Sequence, residues 1–183
     1  FVGMLQDITD RHHAQEVVRH RALHDELTEL PSRGMLLEKL NAALALADRQ
    51  GGHVGLLFLD LNGFKPVNDQ HGHAIGDRVL RLVAQRLRAA THSEDLVARL
   101  GGDEFVILVP RAGSFDELQA FAHKIQTVIR ACGSEFERPI AISASIGIAR
   151  SPEHGISSGQ ILDAADQAMY RAKQDDARGD RKS

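Results

Sequence analysis

The sequence is poor in the features that mark several common classes of protein. Its only thiol is Cys132, so no disulfide can form within the chain, which is typical of a reducing compartment. Its 22 basic and 25 acidic residues give a net charge of −3, without the basic surplus usual in nucleic-acid binders. The longest apolar run, residues 54–59, is far shorter than the roughly 20 residues of a membrane span. We therefore expect a cytoplasmic protein with no nucleic-acid partner and no membrane segment in this stretch.

Two common catalytic signatures are also missing. The sequence has no Gly-x-Ser-x-Gly motif for a serine nucleophile and no Gly-x-x-x-x-Gly-Lys-Ser/Thr phosphate loop. Hydrophobic residues make up 43% of the 183 residues, which is enough to bury a core. The chain starts at Phe1 rather than at an initiator Met, and we expect it to be a fragment of a longer protein.

Helical and strand-like segments alternate along the chain. Apolar residues recur at helical spacing and predict helices over about 10–23, 36–47, 75–87, 115–131 and 158–173. Short apolar or alternating runs predict strands over 54–61, 96–100, 105–109 and 140–149, with a loop over 64–69 and a frayed tail from 175. This order predicts an α/β or α+β domain, a mostly antiparallel sheet with helices packed on it.

Three carboxylates fall where strands end. Asp60 ends the first strand, and Asp103 and Glu104 occupy the tip of a glycine-rich hairpin. If these strands are neighbours, the carboxylates converge at one edge of the sheet, where their mutual repulsion favours a divalent cation such as Mg²⁺. The alternative reading of the hairpin tip is an ordinary polar turn. The residues alone therefore indicate metal-dependent phosphoryl chemistry without naming a substrate.

Further polar residues follow the first strand. Lys65 could contact a phosphate and Asn68 could recognise an amide-like edge, although Asn-Asp in a loop is usually turn chemistry. Asp77 lies in the first turn of a predicted helix, where a carboxylate also complements the helix dipole. The residues alone leave both alternatives open.

Residues 99–105, Arg-Leu-Gly-Gly-Asp-Glu-Phe, resemble the signature of the GGDEF family, the bacterial diguanylate cyclases. Other segments match the family in order and spacing: residues 25–33, 59–69, 72–77, 145–149 and 168–173. Together these segments extend the resemblance over about Leu23 to Lys173. Several motifs in the order and spacing of the family are far more specific than a single motif.

The resemblance implies an α+β sandwich similar to the nucleotidyl cyclase and polymerase palm fold. It implies that two GTP condense to cyclic di-GMP and two pyrophosphates, with Mg²⁺ (or Mn²⁺) as cofactor. Because each subunit holds one GTP, it also implies a homodimer. The alternative is a catalytically weak GTP-binding module that regulates an attached phosphodiesterase or sensor domain.

The same resemblance assigns roles to individual residues. Asp60 and Asp103 would bind Mg²⁺ through carboxylates and Leu61 through its carbonyl. Asp103 would also assist deprotonation of the 3′-hydroxyl, with Glu104 in support. The nucleotide contacts it implies are Asn68 and Asp77 to guanine, His73 beside the nucleotide, and Lys65 and Lys173 to the phosphates.

Several positions depart from the family pattern. Asn62 stands where a second Asp is frequent, and Glu29 replaces a usual Gly. A phosphate-contacting Arg is usual four residues after Lys173, where this chain has Ala177. The inhibitory product site of the family uses Arg-x-x-Asp, but here His92 precedes Asp95. Imidazole does not reproduce the bidentate fork of arginine, so we expect weak product inhibition.

The resemblance also divides the chain. Residues 1–23 resemble the end of a PAS-like sensor domain followed by a connector helix, which could lie on its own domain or pair with its twin in a dimer. Residues 24–176 form the expected GGDEF domain, and residues 177–183 a short tail.

Overall fold

The computed structural model of this chain describes residues 23–179. Over that range the elements, in chain order, are α1 (Arg33–Gln50), β1 (Val54–Asn62), α2 (Phe64–His71), α3 (His73–Ala90), β2 (Leu96–Gly101), β3 (Glu104–Val109), α4 (Phe115–Cys132), a 3₁₀ turn (Gly133–Glu135), β4 (Ser143–Ser151) and α5 (Ser158–Gly179). The PAS-like segment and the connector helix, apart from Leu23, were predicted for residues that lie outside this range.

The strands within residues 23–179 form an antiparallel sheet in the order β2-β3-β1-β4. The central strand β1 is covered on both faces. Leu57 and Leu59 lie in the core shared with α3 and α4, and Leu56 and Phe58 lie in the core shared with α1 and α5. This double burial explains the unbroken apolar run of β1, since both faces of the strand must be hydrophobic. The predicted antiparallel sheet flanked by helices is confirmed.

The predicted loop over 64–69 is wrong, because these residues form the helix α2. Gly63 precedes it with φ 84°, and the Gly72 N–H bonds to the Asn68 carbonyl at its end. Pro66 is tolerated because the first amide groups of a helix have no partner within it. The helix is too short to show a clear apolar period, and only Val67 is buried on it.

Two predicted boundaries also differ. The last strand begins at Ser143, not at Ile140, since Ser143 pairs with Asn62, the final residue of β1. The Ile140 N–H instead bonds to the Gly133 carbonyl. The last helix continues to Gly179, beyond the predicted end at Lys173, so residues 175–179 are helical rather than a frayed tail. Within residues 23–179, no helix combines the length and the hydropathy needed to cross a membrane.

Candidate active site

The predicted convergence of the three carboxylates is confirmed. Asp60 is buried near the end of β1 and lies opposite Glu104 in the register with β3. The turn between β2 and β3 closes over the end of β1, where the Leu61 N–H donates to the Asp103 carbonyl at 3.2 Å. Gly102 has φ 51°, a conformation that favours glycine, so the Gly-Gly pair forms the predicted hairpin turn.

The carboxylates perturb one another. Burial raises the pKa of Asp103, and the negative charge of Asp60 raises it further. Burial likewise raises the pKa of Glu104, followed by the charges of Asp60, Asp166 and Asp103. Mutual repulsion of this kind requires the acids to be near neighbours in a partly desolvated site. Asp166, on α5, was not predicted, because sequence spacing alone does not reveal which side of α5 faces β3.

A lysine occupies this acidic site. The Lys173 Nζ donates to the Asp60 Oδ1 at 2.6 Å, and the lysine side chain is about half exposed. Its charge opposes the rise in the pKa of Asp103. The family resemblance implies a phosphate contact for Lys173, and the structure places its ammonium group on Asp60, a predicted metal ligand.

Gly147 explains how α5 brings Lys173 to Asp60. A Cβ atom at Gly147 would lie 2.0 Å from the Ala165 carbonyl oxygen and 2.1 Å from the Met169 nitrogen. The backbone of α5 therefore packs directly on β4 at this point. This close approach accounts for the glycine in the motif of residues 145–149.

Arg99 connects the hairpin turn to Asp25 and so braces the turn. Arg99 donates to the Gly102 carbonyl at 3.1 Å through Nε and at 2.7 Å through Nη2. Its Nη1 donates to both carboxylate oxygens of Asp25, at 2.8 and 3.0 Å. The sequence motifs contained both residues, but nothing in their spacing showed that the pair would join residues 23–32 to the turn bearing Asp103.

Asp25 is held in place by its own turn. Its Oδ1 accepts from the Thr28 N–H at 2.9 Å and from the Thr28 hydroxyl at 2.6 Å. Burial alone would raise the pKa of Asp25, but the hydrogen bonds from Thr28 and Arg99 outweigh it and hold the pKa below its ordinary value. Asp25 is thus a charged partner for Arg99 at neutral pH, and the brace is an ion pair.

Apart from Lys173 on α5, the predicted nucleotide contacts lie on α2 and α3. A Cβ atom at Gly76 would lie 1.9 Å from the Asn68 Oδ1, so Asn68 rests against α3 beside the residue that precedes Asp77. Lys65 is exposed in the first turn of α2, and His73 is exposed at the start of α3. The structure thus brings Asn68 close to Asp77, while Lys65 remains on the solvent side of the β1–α2 junction.

Asn62 contacts β4 at Ser145, the residue that pairs with Asp60 in the register. Its Nδ2 donates to the Ser145 Oγ at 2.9 Å, and the Ser145 hydroxyl lies 3.3 Å from the Asn62 Oδ1. The side chain that replaces a frequent Asp is therefore engaged in a cross-strand contact.

The acids at the end of β1 supply part of the ligand set that a divalent cation requires. No group of three or more His, Cys, Asp or Glu side chains within residues 23–179 is arranged to hold a metal ion. Asp60 and Asp103 nevertheless supply two repelling carboxylates, and the side chain of Leu61 is buried, so only its main-chain oxygen could face a ligand. Hard oxygen donors suit Mg²⁺, which usually retains waters and substrate phosphates as further ligands. The residues present fit that ion.

The fold and the site define an α+β domain with an acidic centre at the end of its central strand. The family model "Diguanylate cyclase, GGDEF domain" matches residues 22–178. The chain belongs to this family, and the predicted palm-like fold is confirmed.

Relatives and solved structures agree with this assignment. The chain is 39% identical over 173 residues to the diguanylate cyclase DgcP of Pseudomonas aeruginosa, covering 93% of this chain and 25% of DgcP. It is 43% identical over 152 residues to MucR of the same organism, a bifunctional diguanylate cyclase/cyclic di-GMP phosphodiesterase, covering 83% of this chain and 22% of MucR. The chain therefore spans about a quarter of the length of these relatives.

A solved structure also matches over most of the chain. The coiled coil and GGDEF domain of DgcB from Caulobacter crescentus, crystallised with c-di-GMP, matches with a TM-score of 0.83 and 28% identity. The match covers 94% of this chain and 92% of the DgcB chain.

Proposed function

We propose that this domain condenses two GTP molecules into cyclic di-GMP and two pyrophosphates in a Mg²⁺-dependent reaction. One observation carries the proposal: Asp60, Asp103 and Glu104 meet at the end of β1, where burial, and after it the charge of Asp60, raises the pKa of both other carboxyls. Neighbouring carboxylates that repel one another in a partly buried position are typical of a site that binds a cation.

Asp60 and Asp103 would hold the divalent ion through their carboxylates, and Leu61 through its carbonyl oxygen. When bound, the ion would neutralise charge on the triphosphate and help to orient it. In the metal-free domain, Lys173 supplies a positive charge at the same carboxylate.

Asn68 and Asp77 would recognise guanine. A carboxylate accepts from the ring N–H and the amino group of guanine, and an amide can donate to its carbonyl edge. Both side chains are partly exposed on neighbouring helices, and the contact of Asn68 with Gly76 fixes its position. His73, the first residue of α3 and about one turn before Asp77, would lie beside the nucleotide.

The triphosphate would extend from Asn68 and Asp77 toward the acids. Lys65 lies in the first turn of α2, directly after β1, where unpaired helix N–H groups also favour anions. Lys173 would provide a second cation from α5. Arginine at the position of Ala177 is missing, so these lysines carry more of the phosphate contact.

Asp103 would accept the proton of the attacking 3′-hydroxyl. The hydroxyl oxygen would bond to the α-phosphorus of the other GTP as the bond to the β-phosphate breaks, releasing pyrophosphate. A carboxyl whose pKa is raised is a better proton acceptor than an ordinary one. Glu104, across from Asp60, would keep the acidic site in position.

Two such reactions complete the cyclic product, so two nucleotide sites must face each other. We propose a homodimer in which each chain contributes one site. The segment upstream of Leu23 would set this pairing, since Asp25 and Arg99 connect that end of the domain to the Asp103 turn.

The test is incubation of the purified chain with GTP and Mg²⁺, followed by chromatography for cyclic di-GMP at several protein concentrations. We expect product whose rate per chain rises with protein concentration, and its loss in Asp103→Asn. The matched control is Asp48→Asn, an exposed carboxylate near the far end of α1. Activity retained in Asp103→Asn, or lost equally in Asp48→Asn, would contradict the proposed role.

A weak GTP-binding module attached to a phosphodiesterase is the second candidate. The similarity to PdeR of Escherichia coli, which is named only as a cyclic di-GMP phosphodiesterase and is 40% identical over 168 residues, favours it. Tight GTP binding without product at any protein concentration would support this candidate over the first.

A further inference from the structure

The acidic site contains a lysine that pairs directly with Asp60. The Lys173 ammonium lies 2.6 Å from the Asp60 Oδ1, and its charge also reaches Asp103. Asp60 is buried, and the other near neighbours that influence the site electrostatically include three acids, Asp103, Glu104 and Asp166. Lys173 therefore supplies in the metal-free domain the charge compensation that a divalent ion would supply.

We propose that Lys173 is the stand-in cation of this site and that a divalent ion displaces it from Asp60. The inference rests on the proposed function, because it requires the ion to bind Asp60. An oxygen that accepts an ammonium N–H at this distance cannot keep that bond and also coordinate an ion along the same lone pair. The ammonium group also repels a cation that approaches the same carboxylate, so metal binding at Asp60 and the Lys173–Asp60 pair compete.

The exchange needs only the side chain of Lys173 to move. The backbone of α5 is fixed against β4 at Gly147, whereas the lysine side chain is about half exposed on a flexible four-carbon stem. Once released, the ammonium group is free to bind the triphosphate that accompanies the ion. Cation binding thereby prepares the phosphate contact, and by linkage phosphate binding favours the cation.

The first test is a titration with Mn²⁺ in the absence of nucleotide, with free Mn²⁺ measured by electron paramagnetic resonance. If Lys173 competes for Asp60, Lys173→Met should bind Mn²⁺ about fivefold more tightly, the order expected for removing a half-exposed ion pair. A role limited to holding α5 in place predicts unchanged or weaker binding, and that result would overturn the exchange.

Removing any nearby positive charge also favours cation binding, so the matched control is Arg33→Met. Arg33 opposes the rise in the pKa of Glu104 through its charge but makes no ion pair with Asp60. We expect a change of less than about twofold in this variant. Equal tightening in both variants would assign the effect to net charge and contradict the exchange.

The second test follows Lys173 itself in the unmodified sequence. With ¹³C-labelled lysine, the Cε signal that disappears in Lys173→Met should move toward the position of exposed lysines when Mg²⁺ is added. A Lys173 signal that stays unchanged while the ion binds would overturn the proposal. Mn²⁺ binding without tightening contradicts the exchange alone, whereas no Mn²⁺ binding in either protein contradicts the proposed function as well.

Discussion

The ionised forms of Asp103 and Glu104 lower the stability of the folded domain. Both carboxyls have raised pKa values because they are partly buried beside Asp60. A folded domain that binds protons more tightly than the unfolded chain is stabilised at low pH and loses that stabilisation as pH rises through the raised pKa. The residues proposed for catalysis therefore destabilise the metal-free domain at neutral pH.

Asp103→Asn should raise the melting temperature of the metal-free domain at pH 7 by about 1–3 °C, because it removes a repelling charge. The advantage should shrink as pH falls toward 3.8, the ordinary pKa of Asp, where the wild-type carboxyl is also protonated. Thermal unfolding at several pH values, with chelator present, measures both effects. A variant less stable than wild type at pH 7 would show that the carboxylate contributes more contacts than repulsion.

Glu29 has φ 58°, and among residues 23–179 it is the only residue other than glycine with a positive φ. The family usually has glycine there. Glu29→Gly should stabilise the domain by about 0.5–1 kcal/mol, since relief of the left-handed strain exceeds the entropy that glycine adds to the unfolded chain. Urea unfolding measures the difference, and a loss of stability would indicate that Glu29 makes compensating contacts.

At the scale of elements, the site depends on how closely α5 approaches the sheet. α5 carries Lys173 to Asp60 and Asp166 toward Glu104, and its backbone touches β4 at Gly147. The position of one helix thus sets the charge balance of the acidic site.

Gly147→Ala should destabilise the domain by about 1–3 kcal/mol and lower turnover, because the new methyl overlaps backbone atoms of α5 and pushes the helix outward. Gly159→Ala, in α5 itself, meets no heavy atom within 4 Å and should be neutral or slightly stabilising. Urea unfolding and the cyclic di-GMP assay compare the two. Equal effects would mean that the contact at Gly147 does not position α5.

The sequence predicted the helices and strands that neighbouring residues along the chain determine. The apolar run of β1 and the Gly-Gly pair of the hairpin predicted the strands, and the acids at their ends predicted a candidate site. Helix α2 was missed because eight residues with one buried side chain show no period. The Arg99–Asp25 brace and the Lys173–Asp60 pair were missed because they join residues 74 and 113 positions apart, which only the folded topology brings together.

At the scale of the whole molecule, the segment to which the family resemblance assigns product binding differs from the family pattern. His92 replaces the usual arginine, and the Asp95 Oδ2 accepts from the His92 N–H at 2.9 Å, so this carboxylate closes its own turn. The segment therefore has the acid but not the bidentate cation that would bind a phosphate.

We expect added cyclic di-GMP to inhibit the initial rate only weakly. His92→Arg should strengthen the inhibition by restoring the guanidinium, and Asp95→Ala in that background should weaken it again. Strong inhibition of the wild-type chain that disappears in Asp95→Ala would contradict this account. Inhibition curves at fixed GTP provide the comparison.

The central claim is that Asp60 and Asp103 jointly hold a divalent ion at the end of β1. The most direct measurement is the anomalous scattering of Mn²⁺ in crystals grown with a non-hydrolysable GTP analogue. The account predicts a peak bounded by both carboxylates and the Leu61 carbonyl, with Lys173 turned toward the phosphates. A peak elsewhere, with Lys173 still bonded to Asp60, would contradict it.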